Sequence, residues 1–374
     1  MAYKFLKRFM VADFKYAPVI PEPFRCRVPL PDTHEVIVTN GVFREERFSL
    51  DEESLIINGN NDSVVGDGEG AVEREERVAG GYSVEVKEGC KVDETIQIIG
   101  VRDGSGDEAI SFLNNVKLGS YAEARLLLCS HTLTTDRFYT EEVFDIDLAS
   151  GAQLDMVIMQ NEHNESVHKT KFNISLKKKS RVKIVIVALH GGRVENEITV
   201  DLKEAGAICD LNGTYLMDGK QYVTTSIKMV HAAPECISTQ LFKGILDDEA
   251  IASFTGNIVV ERNAQKTEAY QANHNLLISH GAKSYTQPQL EIYADDVKCS
   301  HGATSGRLDE VALFYMRSRG IGKSEAKLLQ QLAFVYDVLE KIGNEKLRNR
   351  LHGLVESRLR GEFARCNNCS VHCC

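Results

Sequence analysis

The feature that most constrains this chain is a repeat of apolar residues at every second position. The repeat is formed by Phe144, Ile146 and Leu148, by Phe172, Ile174 and Leu176, by Ile198, Val200 and Leu202, and by Ile227 and Met229. Its first members stand at positions 144, 172, 198 and 227, so the period is roughly 28 residues. Alternation of this kind predicts β-strands that bury one face.

A short turn follows each of the first three strands. The turn pairs are Gly151-Ala152, Lys179-Ser180 and Gly206-Ala207. A second apolar strand comes after them, as in the segment from Val182 to Ile186. A recurring unit of strand, turn and strand is typical of coils that stack on their neighbours to bury an apolar face. The pattern favours a mostly β fold, a β-helix or similar solenoid, although a two-sheet sandwich has strands that alternate in the same way.

Composition narrows the possible partners. Fifty-four acidic against 44 basic side chains give a net charge of −10, which repels a phosphate backbone and argues against nucleic acid binding. No apolar run approaches the roughly 20 residues of a membrane helix, and the first residues lack the apolar stretch of a secretory signal. We therefore expect a cytoplasmic protein with no membrane partner, whose 10 cysteines are reduced thiols.

Four segments follow from these patterns. Residues 1–81 are predicted to be an N-terminal region of mixed structure with a flexible acidic loop, and residues 82–306 to be the β-helix core. Residues 307–365 have a helical period, and residues 366–374 form a cysteine-rich tail.

Three helices are predicted in the helical segment. The first runs from Leu308 to Arg319, and the second from Ser324 to Ile342. Asn344 is placed to cap a third helix that ends near Arg360. Their exposed basic residues suit either a docking surface for another protein or a solvated charged face.

The string from Gly320 to Ser324, Gly-Ile-Gly-Lys-Ser, is similar to the end of a phosphate-binding loop. Such a loop needs a glycine at the position of Arg317 and a β-strand before it, whereas this string lies between two predicted helices. We interpret it as a junction between helices that does not bind ATP.

Two clusters contain residue types that bind metal ions, and for each of them an alternative without a specific metal site exists. His163 and His168 stand close to Glu162 and Glu165, but no third ligand is identifiable and we favour an exposed loop over a metal site. The tail gathers five residues that suit zinc, copper(I) or iron-sulfur units, or else form a frayed terminus that binds metals only incidentally. They are Cys366, Cys369, His372, Cys373 and Cys374.

A run of motifs in the second half of the chain resembles the SufB/SufD family of iron-sulfur cluster assembly proteins. They are Phe242–Leu246, Gly256–Val260, Ala264–Thr267, Asn273–Leu277, Gln287–Thr304, Arg307–Asp309 and Leu313–Ile321. The likeness extends more loosely upstream to about Ser111, and the first hundred residues match weakly. Several motifs in the same order and at the same spacing make a chance likeness very improbable.

The resemblance implies a right-handed parallel β-helix with a C-terminal helical segment. It also implies a non-catalytic scaffold subunit that pairs edge to edge with a SufB-type paralogue and carries a SufC-type ABC ATPase at its C-terminal helices. Those helices contain Leu308, Phe314, Leu328 and Leu332. The iron-sulfur cluster would be transient and shared with the partner, with none tightly bound by this chain alone.

Details of the match favour a D-type, SufD-like member. Ala282 stands where the B-type has a candidate cluster-ligand cysteine, and Gly302 stands where it has a glutamate. His301 matches the family's candidate cluster-assembly histidine, and an imidazole is a competent iron ligand. Cys299 lies on the same strand face, so it is either a second functional residue or a buried core thiol.

Two other functions stay open at this point. A self-sufficient homodimeric scaffold that binds metal or a cluster through the cysteine tail is one of them. A solenoid enzyme that acts on polysaccharide is the other, although it would need aromatic platforms and the chain contains no tryptophan.

Overall fold

The computed structural model describes residues 33–43, 54–59, 80–102, 108–132 and 137–361. Within these ranges successive strands alternate between two sheets, which we call sheet A and sheet B. Sheet A contains β1 (Thr33–Thr39), β2 (Val42–Phe43), β5 (Lys91–Arg102), β7 (Glu123–Thr132), β9 (Gln153–Asn161), β11 (Arg181–His190), β13 (Ile208–Met217), β15 (Ile237–Leu246), β17 (Glu268–Leu277) and β19 (Lys298–Gly306). Sheet B contains β3 (Leu55–Gly59), β4 (Tyr82–Val86), β6 (Glu108–Leu118), β8 (Phe138–Leu148), β10 (Val167–Leu176), β12 (Arg193–Leu202), β14 (Tyr222–His231), β16 (Ile251–Val260) and β18 (Lys283–Ile292).

The repeat seen in the sequence corresponds to one coil of the chain. Phe144 is in parallel register with Phe172, Phe172 with Ile198, and Ile198 with Ile227. The rings of Phe144 and Phe172 stack with their centroids 4.9 Å apart, inside the main core between the two sheets. Consecutive strands therefore belong to opposite sheets and consecutive coils pair in parallel. This arrangement confirms the parallel solenoid and excludes the two-sheet sandwich.

The turns between coils share one backbone conformation. Gly151, Lys179 and Gly206 have φ of 73°, 54° and 75°, and Tyr121, Glu235 and Lys266 have similar positive values. Each of these residues donates its backbone N–H to a carbonyl of the next turn; the N–H of Gly151, for example, lies 2.8 Å from the oxygen of Lys178. The left-handed residue thus satisfies a backbone donor as it reverses the chain. Glycine, which stands at two of these six positions, adopts this conformation most readily because it has no Cβ to clash.

Three helices follow the solenoid: α1 (Glu310–Ser318), α2 (Lys323–Leu339) and α3 (Glu345–Leu359). Asp309 caps α1 by accepting hydrogen bonds from two backbone amides, and Asn344 caps α3 by accepting one from Leu347 at 3.1 Å. The three predicted helices are confirmed, with ends that differ by one to three residues from the prediction. No helix in the described ranges is long and apolar enough to cross a membrane.

Helices α2 and α3 cover the outer face of sheet A. Leu328, Leu332 and Val335 of α2 are buried in a second apolar core together with Val187 and Ile245 of the sheet. Arg358 of α3 is buried as well; it donates to the carbonyl oxygen of Leu189 and to the carboxylate of Asp218, both at 2.8 Å. The helices are therefore part of the folded body, because removing them would expose an apolar sheet face.

The two ends of the solenoid differ. At the N-terminal end the edge strands are short, and β2 and β3 run antiparallel to their neighbours β1 and β4. At the C-terminal end β18 and β19 each pair on one side only, in parallel with β16 and β17. In the part of the chain that the structure describes, no further strand covers these two edges.

Candidate functional site

The candidate residues Cys299 and His301 lie on β19, the edge strand of sheet A. Cys299 is in register with Ala269, and His301 with Gln271. Because Ala269 and Gln271 are buried between the sheets, alternate residues of β19 stand on the same inward side. The last coil thus places both candidate residues at the open end of the solenoid.

Cys299 is the more enclosed of the two. It is partly buried and packs against the main core. Burial raises the pKa of its thiol, so the thiolate that would bind iron is disfavoured in the isolated chain. This environment agrees with the core interpretation, and a role for Cys299 in cluster assembly stays a prediction.

The side chain of His301 is exposed and forms no hydrogen bond within the described ranges. Neighbouring Gly302 also faces open space, since a Cβ placed there would meet no atom within 4 Å. Ala282, at the position of the B-type cysteine, is buried in a small apolar cluster with Leu246 and Ala250. The methyl group of Ala282 cannot bind a metal ion, whereas the imidazole of His301 is accessible to one.

A groove of about 380 Å³ lies beside β19 at the edge of sheet A, and residues from both faces of the sheet line it. Tyr270, His274, His301 and Lys341 contribute to its lining. The ring Nδ1 of His274 lies 2.7 Å from the hydroxyl of Thr304, which fixes the ring. Burial, with a further contribution from Lys243, lowers the pKa of His274, so this imidazole is neutral near pH 7.

The other predicted ligands do not meet at this site. Cys366, Cys369, His372, Cys373 and Cys374 lie outside the described residues. In the described ranges, no group of three His, Cys, Asp or Glu side chains is arranged to hold a metal ion.

The predicted ATPase-docking helices divide into a buried and an exposed part. Leu328 and Leu332 are buried against sheet A, and Leu308 is half-buried beside the same core. Phe314 is 73% exposed, and Val311 and Tyr315 on the same helix are exposed too. We call Val311, Phe314 and Tyr315 the α1 patch. The string from Gly320 to Ser324 joins α1 to α2, as predicted.

The prediction of an exposed loop is wrong for His168, which lies on β10 inside the solenoid. Its Nδ1 is 3.0 Å from a carboxylate oxygen of Glu162, and its Nε2 is 3.2 Å from one of Glu142. Burial opposes the imidazolium charge, but the two carboxylates outweigh it and raise the pKa of His168 to about 9. Burial likewise works against the charge of Glu162, yet His168 holds the pKa of that carboxyl below its usual range.

Arg102 completes this internal charged cluster, which sequence reasoning missed. Its side chain is fully buried, lies over the ring of Phe112, and donates from Nε to the hydroxyl of Thr140 at 3.1 Å. Its two terminal nitrogens have no hydrogen-bond partner among the described residues. Arg102 lines an internal cavity of about 20 Å³ together with Glu142 and His168. The cavity has room for about one water molecule.

Comparison with known proteins identifies the family. Residues 103–334 match the SufBD core domain of the SUF system for Fe-S cluster assembly. The chain is 30% identical over 281 residues to the iron-sulfur cluster assembly protein SufD of Escherichia coli, covering 74% of this chain and 66% of the relative. It is 32% identical over 232 residues to a SufBD family protein of Synechocystis sp., covering 61% of this chain and 51% of that protein. These alignments span about half to two thirds of the relatives' lengths.

The chain therefore belongs to the SufB/SufD family of iron-sulfur cluster assembly proteins. Within that family it is SufD-like. A SufBD family protein of Mycobacterium bovis, 28% identical over 307 residues, aligns with 78% of this chain and with 76% of its own length.

Proposed function

We propose that this chain is the SufD-type subunit of a scaffold complex and pairs with a SufB-type subunit through its open last coil. The observation that carries the proposal is the pair of edges on β18 and β19, which no strand of the described ranges covers. Such edges present unpaired N–H and C=O groups that another strand can satisfy. Tyr285, Ile292 and Tyr293 stand exposed at the same end, and exposed aromatic residues are common in protein interfaces.

The α1 patch is the proposed docking surface for a SufC-type ATPase. Three large apolar or aromatic side chains on one short helix, two of them more than 70% exposed, resemble the anchors of a helix that binds in a groove of a partner. ATP hydrolysis would belong to that partner, and this chain would act as a non-catalytic scaffold.

His301 is the proposed contribution of this chain to cluster assembly. The imidazole has a free surface beside the edge that would meet the SufB-type partner. A histidine ligand in place of cysteine holds iron less firmly, which suits a scaffold that passes its cluster on. The cluster is then transient cargo, bound by residues of both subunits.

Co-expression of the three subunits tests the role of His301. We expect the complex with His301→Ala to assemble with normal subunit ratios but to carry severalfold less iron and sulfide after anaerobic purification. His280→Ala is the matched control, because His280 is an exposed histidine in the turn before β18 that contacts Arg307. Cys299→Ala should lower the cluster content only if the thiol is a ligand.

Normal cluster content in a fully assembled His301→Ala complex would overturn the assignment of His301. Loss of the SufB-type subunit in the same variant would show instead that the residue acts in pairing.

A further inference from the structure

The interior of the last coils is polar where that of a solenoid is ordinarily apolar. Gln271 lies between the sheets and is only 3% exposed. Its Nε2 donates to Oε1 of Gln240, one coil earlier, at 2.8 Å. Its own Oε1 is buried and accepts no hydrogen bond within the described ranges, and Nε2 of Gln240 is likewise buried without a partner there. A buried acceptor without a hydrogen bond lowers the stability of the fold, so a donor near this oxygen would be favoured.

A glycine on the facing sheet makes room for this side chain. A Cβ added to Gly256 would lie 2.1 Å from Nε2 of Gln271, closer than any real contact. The amide of Gln271 is thus held between Gly256 on one side and Gln240 below. Its position is fixed by packing and by a hydrogen bond before any partner binds.

His301 is the donor that the register places next to this oxygen. His301 and Gln271 are directly paired on adjacent parallel strands, which lie about 4.8 Å apart and carry their side chains on the same face. The imidazole has no hydrogen-bond partner within the described ranges. The hydroxyl of Thr286, on the facing last strand, donates to Asn273 at 2.9 Å, so its proton is already used.

We propose that Gln271 is a positioning residue for His301. The two side chains are not hydrogen-bonded in this structure, and a rotation of the exposed imidazole would bring a ring N–H to the side-chain oxygen of Gln271. The resulting hydrogen bond holds the imidazole in one orientation and one neutral tautomer, so that the other ring nitrogen presents its lone pair at the open end of the solenoid. Outer hydrogen bonds of this kind orient metal-binding histidines in many proteins. The inference rests on the proposed function of His301 as the residue that meets the cluster.

The tautomer can be measured without any cluster. The full-length chain is labelled with ¹⁵N-histidine, and long-range ¹H–¹⁵N spectra are recorded near pH 8.5, where an ordinary imidazole is neutral. The His301 signals are assigned by their absence in His301→Asn. We expect one tautomer to dominate in the wild-type chain. Gln271→Met should change the tautomer ratio about two- to tenfold, the range set by one hydrogen bond.

Three further variants make the test specific. Gln271→Glu keeps an acceptor and should retain the wild-type tautomer. Gln160→Met removes an equally buried amide that bonds to Asn196 in a distant coil, and should leave His301 unchanged. If Gln271→Met does not fold, Gly256→Ala displaces the same amide and should shift the ratio instead.

An unchanged tautomer ratio in folded Gln271→Met overturns the positioning role. Measurements on the co-expressed complex distinguish the positioning role of Gln271 from the role of His301 in cluster assembly. A shifted ratio with lowered iron and sulfide supports both, whereas a shifted ratio with normal cluster content keeps the positioning role and refutes the role of His301 in assembly.

Discussion

Replacing His168 with glutamine tests the internal charged cluster. The wild-type imidazole lies between Glu162 and Glu142, inside the solenoid and away from water. Glutamine has a similar length and can still hydrogen-bond, but it carries no charge. The variant therefore leaves the buried carboxylate of Glu162 and the partly buried one of Glu142 with Arg102 as the remaining cation of the cluster.

The expected loss of stability follows from the pKa of His168. Its folded value is about 9, and an unfolded histidine titrates near 6.5, so the difference corresponds to about 3 kcal/mol of folding free energy. Because the folded pKa is the higher one, this stabilisation is fully present below pH ~6.5 and is lost as the pH rises through about 9. Removing one partner of a buried ion pair commonly costs about 3–5 kcal/mol, in agreement with this value.

The assay is urea unfolding of both proteins at several pH values between about 6 and 10. We expect His168→Gln to be about 3 kcal/mol less stable at pH 6, with a gap that narrows as the wild-type imidazole loses its proton. Lys169→Gln is the control, because Lys169 pairs with Glu141 at a partly exposed site and should contribute at most about 1 kcal/mol. A gap between wild type and His168→Gln that stays constant over the whole pH range would refute the linkage to His168.

Three further predictions concern the helices, the tail and the interior glycines. Val311→Ser combined with Phe314→Ser should release the ATPase from the co-purified complex and keep the SufB-type subunit, whereas the control Leu329→Ser on α2 should release neither subunit. Substitutions are preferable to truncation after Gly306, because α2 and α3 cover sheet A. Deleting residues 366–374 should leave complex formation and iron content unchanged, and a clear fall in iron would favour the homodimeric scaffold that uses the tail. Gly244→Ala should lower the free energy of unfolding by about 1–3 kcal/mol, because the new Cβ would lie 1.9 Å from the Tyr215 ring. The control Gly302→Ala should leave the free energy of unfolding unchanged, because its new Cβ would meet no atom within 4 Å.

The solenoid was predictable because its coils pair in register. Residues Phe144, Phe172, Ile198 and Ile227 recur in the sequence at nearly the spacing of one coil, and in the structure each pairs with the next. Helix ends were predictable from local chemistry alone, since Asn344 needs only the backbone amide of Leu347 to cap α3.

The charged interior was not predicted, because only apolar residues were followed along the strands. His168 and Thr170 stand two residues apart and directly before Phe172 in the same alternation, so they share its inward face. This spacing of two residues was visible in the sequence and would have placed His168 inside the solenoid. The partners Glu142 and Arg102 come from other coils, and no local pattern could have brought them together. Similarly, the pairing of Gln271 with His301 depends on a register that only the folded ladder defines.

The unlike ends of the solenoid also set a limit on how many chains can stack. A strand added at the C-terminal end finds the long, parallel edges of β18 and β19, while the other end presents strands of two and five residues that run antiparallel to their neighbours. Head-to-tail growth would require the two end surfaces to match, and the strands that the structure describes at the two ends do not. In the proposed complex, stacking through the open coil would therefore stop at one partner, because the edges of β18 and β19 would be buried in the interface and the strands described at the other end offer no matching edge.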